Sequence, residues 1–210
     1  EHVFYYSLAA VMRLARRAGL EVFDASRQKI HGGTLRVCLC HAKRRQVSSH
    51  VGTILSQEAR EGLTSGKAYA DFSSRIQAIR QDLVSFVLSA NAEGKRVAAY
   101  GAPAKGNVLL NYCGLTSEHI DFTVDRSPHK QKYLLPGSRI PVRSPEALSS
   151  EAPDYAIVLA WNFAAEIIRQ QQDYLQQGGA FVLPIPLSII RESSFSLAEQ
   201  ETQRRTRRAS

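Results

Sequence analysis

Tyr100-Gly101-Ala102-Pro103-Ala104-Lys105-Gly106-Asn107 is the stretch whose reading decides the fold. The apolar run Arg96-Val97-Ala98-Ala99-Tyr100 leads into it, and Val108-Leu109-Leu110-Asn111-Tyr112 leads out of it as a helix. A strand that turns through glycines into a helix gathers free backbone N–H groups and the positive helix end at one point. A phosphate or carboxylate is stabilised there. Lys105 adds a charge to the turn and Asn107 an amide. The pattern is neither G-x-G-x-x-G nor G-x-x-x-x-G-K-[ST], so neither the dinucleotide nor the P-loop fingerprint is satisfied. A tight turn that binds nothing is the plain structural alternative.

Working outward, residues 95–190 alternate strands with helices. Val97–Tyr100 is a strand, and 104–113 is its helix, closed by Gly114. Ile120–Asp125 is the second strand, followed by an extended stretch, Lys132 to Val142, punctuated by Pro136-Gly137 and Pro141. Tyr155–Ala160 is almost continuously apolar, as a strand covered on both faces must be. Asn162 can cap a helix over 163–177, which Gly178-Gly179 ends before the last strand, Ala180–Leu183. This predicts an α/β unit with a mostly parallel, Rossmann-like sheet. Ligands of such sheets gather at the carboxyl ends of the strands. The candidate binding residues there are Gly101, Lys105, Gly106 and Asn107 of the turn, Asp125 after the second strand, and Trp161 and Asn162 after the buried one. Asp125 follows Gly101 at close to the spacing of a ribose-binding acid, though many strands end in Asp only to open a turn. Trp161 suits either core packing or stacking on a base or sugar. Pro103 removes a donor that a dinucleotide loop would use, which counts against NAD.

Toward the amino end the chain reads differently. Leu8, Val11, Met12 and Ala15 recur at helical spacing after Ser7, a candidate cap, and Gly19 ends the helix. Two strands follow, Leu20–Asp24 and Thr34–Cys40. One helix and two strands cannot bury their own apolar faces, so residues 1–50 read as the closing part of a domain. The chain opens on Glu1, consistent with a longer protein. Residues 51–94 form a helical connector with a stripe of Tyr69, Phe72, Ile76, Ile79, Leu83, Phe86 and Ala90. Residues 191–210 lose periodicity and end in a basic cluster, Arg204 to Arg208, predicting a disordered tail.

Charge and cysteine content narrow the function classes. The formal net charge of +8 is concentrated in residues 1–50, where nine Lys and Arg face three acids. The near-neutral 95–190 segment lacks a basic stripe interleaved with aromatics, which argues against nucleic acid. Apolar runs are too short for a membrane span. Cys38, Cys40 and Cys113 form neither a disulfide framework nor a zinc spacing, and Cys38 and Cys40 read as small core residues. A reducing, cytoplasmic setting follows from this usage. A second candidate site lies at Glu1-His2, with Tyr5 and Tyr6 close behind. Imidazole titrates near neutrality and a neighbouring carboxylate stabilises its protonated form, so such a pair can serve as a general base.

Several stretches carry a resemblance. E-H-V-F-Y-Y-S (1–7), G-L-E-V-F-D (19–24), H-G-G-T-L-R-V (31–37), the 100–114 turn and helix, V-D-R-S-P-H-K-Q (124–131), L-P-G-S-R-I-P-V (135–142), P-D-Y-A-I-V-L-A-W-N (153–162) and G-G-A-F-V-L-P-I-P (178–186) occur in order. Together they resemble the C-terminal part of bacterial sugar C-methyltransferases, class I S-adenosylmethionine (SAM)-dependent enzymes acting on nucleotide-linked deoxy-keto-sugars. The resemblance implies that 1–50 closes the SAM domain and that 95–190 is a C-terminal domain helping to hold the sugar nucleotide. It implies His2 as the base that removes the proton alpha to the sugar ketone and Glu1 as its support. By position it adds His31, Lys105 and Asn107 to the substrate side, with Tyr5 near the catalytic pair. SAM and a cysteine-bound zinc are implied mainly for a preceding N-terminal part. The alternatives from other classes are a non-catalytic nucleotide-sugar binding module and an NAD-dependent oxidoreductase.

Overall fold

A computed structural model describes residues 4–28, 30 and 33–191. Glu1, His2 and His31, and the tail from 192 onward, lie outside the described residues. The chain divides into two compact units, Glu1–Ile76 and Gln77–Ser210.

In the first unit, helix α1 (Leu8–Arg17) precedes an antiparallel pair, β1 (Leu20–Gln28) and β2 (Thr34–His41), and helix α2 (Ser49–Arg60) follows. The Ser7 hydroxyl accepts from the Ala10 N–H, as its sequence position predicts. Glu58, 3% exposed, reaches from α2 to accept the Leu8 and Ala9 N–H groups. A buried carboxylate is thereby placed on the positive end of α1, where the helix field stabilises it. Leu8, Ala15, Val22, Ala25, Val51 and Ile54 make a small core. Cys38 and Cys40 are half-buried along β2, not in that core, and both are free thiols. Helix α3 (Lys67–Ala92) is one continuous element. Its stripe is uneven: Leu83, Val87 and Ala90 are buried in the second unit, while Tyr69 and Phe72 are more than half exposed.

The second unit holds a six-stranded sheet in the order β5-β4-β3-β6-β7-β8. Its strands are β3 (Val97–Tyr100), β4 (Thr123–Val124), β5 (Val142–Arg143), β6 (Tyr155–Val158), β7 (Ala180–Pro184) and β8 (Leu187–Ile190). The first five run parallel and β8 runs antiparallel to β7, so the sheet is mostly parallel and Rossmann-like. All four residues of β3 are buried, as a central parallel strand requires. Alternation sorts them. Val97 and Ala99 pack with α3 and with Leu110 and Cys113 of helix α4 (Ala104–Cys113). Ala98 and Tyr100 pack on the other face with Leu148, Ile167, Ile168 and Tyr174. Those four belong to the short helices α5 (Glu146–Glu151), α6 (Ala164–Gln170) and α7 (Gln172–Gln176).

Three local expectations change. The predicted helix over 163–177 is a turn of 3-10 helix, Trp161–Phe163, then α6 and α7, broken at Gln171 with φ −116° and ψ 40°. Asn162 sits inside that 3-10 turn and caps nothing. The residue before α6 is Phe163, which makes no capping bond. The sheet gains β8 beyond the strand that ended the sequence reading. Among the described residues no helix is long and apolar enough to cross a membrane.

Candidate functional site

From β3 the chain builds outward through β4 to β5, then returns to the other side of β3 to lay down β6. The direction of winding therefore reverses between β3 and β6. In open α/β sheets the crevice outside the carboxyl ends at such a reversal is where ligands sit. Two segments line it here: the turn after β3 and the residues after β6.

Gly101 has φ +94°, a conformation that strains other residues, and a Cβ there would stand 3.2 Å from the Ala160 Cβ. Its N–H donates to the Val124 carbonyl, and its carbonyl accepts from the buried Thr123 hydroxyl at 2.8 Å. Pro103 then opens α4 with extended backbone and no side-chain cap, leaving the first-turn N–H groups pointing out of the helix. A Cβ on Gly106 would lie 2.6 Å from the Leu159 Cβ. This glycine therefore brings the start of α4 directly against the chain leaving β6. Lys105 lies with its ammonium 4.4 Å from the centre of the Trp161 ring, a cation–π contact across the crevice.

Asp125 has a different task from the one its spacing suggests. One carboxylate oxygen accepts the Ala102 N–H at 2.7 Å and the Lys130 ammonium at 3.3 Å, while the other accepts the Ser127 N–H at 2.9 Å. Lys130 also donates to the Ala102 carbonyl at 3.1 Å. The side chain of Asp125 is only 14% exposed. Asp125 and Lys130 thus fasten the turn after β3 to the end of β4. Lys130 lies in the quoted V-D-R-S-P-H-K-Q run, but nothing in its local sequence marks it as a tie to Ala102.

The fold brings Gly101, Lys105, Gly106, Asn107, Asp125 and Trp161 to one edge of the sheet, and Asn162 stands exposed beside Trp161. Tyr5 belongs to the first unit, ahead of α1, and is 82% exposed. Chemically, the edge offers an uncapped helix end and a lysine for an anion, and a flat aromatic face for a ring or sugar.

Residues 29–186 match the family described as C-methyltransferase C-terminal domain. The chain belongs to that family. It is 40% identical over 187 residues to "C-methyltransferase NovU" of Streptomyces niveus, a match covering 89% of this chain and 44% of that relative. The chain thus spans less than half the length of the curated relative it matches.

Membership of a methyltransferase family implies SAM as methyl donor, and an adenosyl group would need a cradle at this edge. The fit is poor. The turn lacks the G-x-G-x-x-G glycines, Pro103 withdraws a backbone donor, and the acid that could take a ribose is committed to Ala102 and Lys130. The same three features weigh against a dinucleotide.

Proposed function

We propose that this chain supplies the substrate side of a SAM-dependent C-methyltransferase acting on a nucleotide-linked deoxy-keto-sugar, with the methyl group entering alpha to the ketone. One observation carries the reading: the uncapped first turn of α4 lies at the reversal of the sheet beside Lys105 and Trp161. A helix end and a lysine suit a diphosphate, and an adjacent ring suits what the diphosphate links. Membership of a C-methyltransferase family supports the reaction class. The methyl donor in this reading is SAM, held outside the described residues, as is any zinc, and the setting is cytoplasmic. His2 takes the proton alpha to the ketone, and Glu1 orients its imidazole and stabilises the protonated form.

Trp161 is the single tryptophan of the chain, so its fluorescence reports directly on the crevice. Titration with thymidine diphosphate, SAM and NAD in parallel should give a saturable change with the nucleoside diphosphate alone. Saturation by NAD instead, or no response to thymidine diphosphate, would overturn the reading. For the chemistry, His2→Ala in an active methyltransferase carrying this chain should abolish methyl transfer while SAM affinity stays unchanged. Turnover at the wild-type rate would remove His2 from the mechanism.

A further inference from the structure

Buried polar atoms without partners are rare in folded proteins, and each calls for an explanation. Among the described residues three side chains carry one: Tyr100 through its hydroxyl, Asn107 through its amide oxygen, and Ser138 through its hydroxyl. Two of the three bracket the same turn. Tyr100 is the last residue of β3 and Asn107 is the fourth residue of α4. Tyr100 is only 4% exposed, and its ring meets Phe181 edge-on at 6.3 Å. Strand alternation sends it to the sheet face opposite α4. Its side chain thus lies on the opposite face of the sheet from the helix end where an anion would be held.

The groups around that oxygen are mixed in kind. Burial pushes the phenol above its ordinary value, while Arg126 and the Gln171 side chain work against the rise and Asp125 and Glu146 add to it. By geometry the hydroxyl has no hydrogen-bond partner. Arg126 is two-thirds exposed, loosely held 3.4 Å from the Gln170 amide oxygen and 3.7 Å from Glu166. A phenol hydroxyl both donates and accepts, which suits an uncharged sugar hydroxyl better than a phosphate.

We propose that the Tyr100 hydroxyl is a ligand-binding group, donating a hydrogen bond to a sugar hydroxyl of a nucleotide whose diphosphate rests on the first turn of α4. The ligand then straddles the carboxyl end of β3, with phosphate on the α4 side and nucleoside on the Tyr100 side. This rests on the sugar-nucleotide reading of the crevice and adds a residue and an orientation to it.

Tyr100→Phe separates a ligand group from a merely buried one. Deleting an unpartnered buried hydroxyl leaves stability unchanged or raised, because no bond is lost and a desolvated group is removed. The 210-residue chain and its Y100F variant are titrated with thymidine diphosphate and with inorganic pyrophosphate, following Trp161, and melted in parallel. The expected result is about tenfold weaker thymidine diphosphate binding by Y100F. Pyrophosphate affinity and melting temperature should not fall. Equal thymidine diphosphate affinity in both chains would overturn the proposal, as would an equal loss for pyrophosphate or a melting temperature several degrees lower. Should the wild-type chain bind neither probe, the crevice itself is misread and the role of Tyr100 falls with it.

Discussion

The two edges of the parallel sheet, built from the same strands, are finished in opposite ways. At the amino edge, charges are matched within the fold. Arg96 donates to Asp121 at 2.8 Å and to both the carbonyl and the carboxylate of Glu151. Asp154 takes the Lys95 ammonium and the Arg96 N–H, each at 2.9 Å. Arg143 closes on Glu151 as well. At the carboxyl edge α4 starts without a cap, and two buried polar atoms lack partners. One edge is satisfied by the fold's own side chains, while the other keeps an uncapped helix start and two unpartnered polar atoms. Position on the strand alone does not teach this, since Asp121 and Asp125 flank the same short β4 and both are engaged internally.

Glycine substitutions test this contrast most forcefully. A Cβ on Gly179, just before β7 at the amino edge, would enter the ring of fully buried Tyr174. Gly179→Ala should cost about 3 kcal/mol, read from chemical denaturation. Any surviving folded protein should bind thymidine diphosphate normally. Gly106→Ala at the other edge meets Leu159 and should cost about 2 kcal/mol, but here nucleotide affinity should fall as well, because α4 is levered away from β6. If Gly106→Ala destabilises without weakening binding, the two edges do not differ as described.

The smallest effect is electrostatic. Hydrogen bonding to Lys95 holds Asp154 below its ordinary value of 3.8, and the same bond raises Lys95 above 10.5. A depressed acid stabilises above its unfolded-state value and loses that contribution as pH falls through the folded one. A raised base stabilises below its unfolded-state value and loses it as pH rises further. Asp154→Asn should therefore melt a degree or two (~) below wild type through the neutral range, the gap closing below about pH 3.8. A gap that persists in strong acid would show that the pair is not its source.

Much of this was legible in the chain itself. Val97–Tyr100, Gly101 and the helix closed by Gly114 declare strand, turn and helix through apolar runs and glycine, because those signals are local. The break at Gln171 was hidden, since no glycine or proline marks it and packing of Ile167, Ile168, Tyr174 and Leu175 sets it. Strand β8 was hidden for the opposite reason. The last strand predicted from the sequence stops at Leu183, and the prolines that follow, Pro184 and Pro186, lie around a turn that returns the chain to the sheet. At the site, spacing singled out Asp125, but whether its carboxylate faces a ligand or the Ala102 N–H depends on a neighbour 23 residues away in sequence. Tyr100 looked like one more strand aromatic, because an unsatisfied hydroxyl exists only once the surrounding atoms are in place.

The antiparallel return of β8 has a practical consequence. It carries the backbone from the carboxyl edge back to the amino edge, where Arg191 lies over Tyr155 at the start of β6. A fluorophore attached at an Arg191→Cys substitution would therefore stand at the edge away from the turn after β3. Such a label should leave titrations at the carboxyl edge undisturbed.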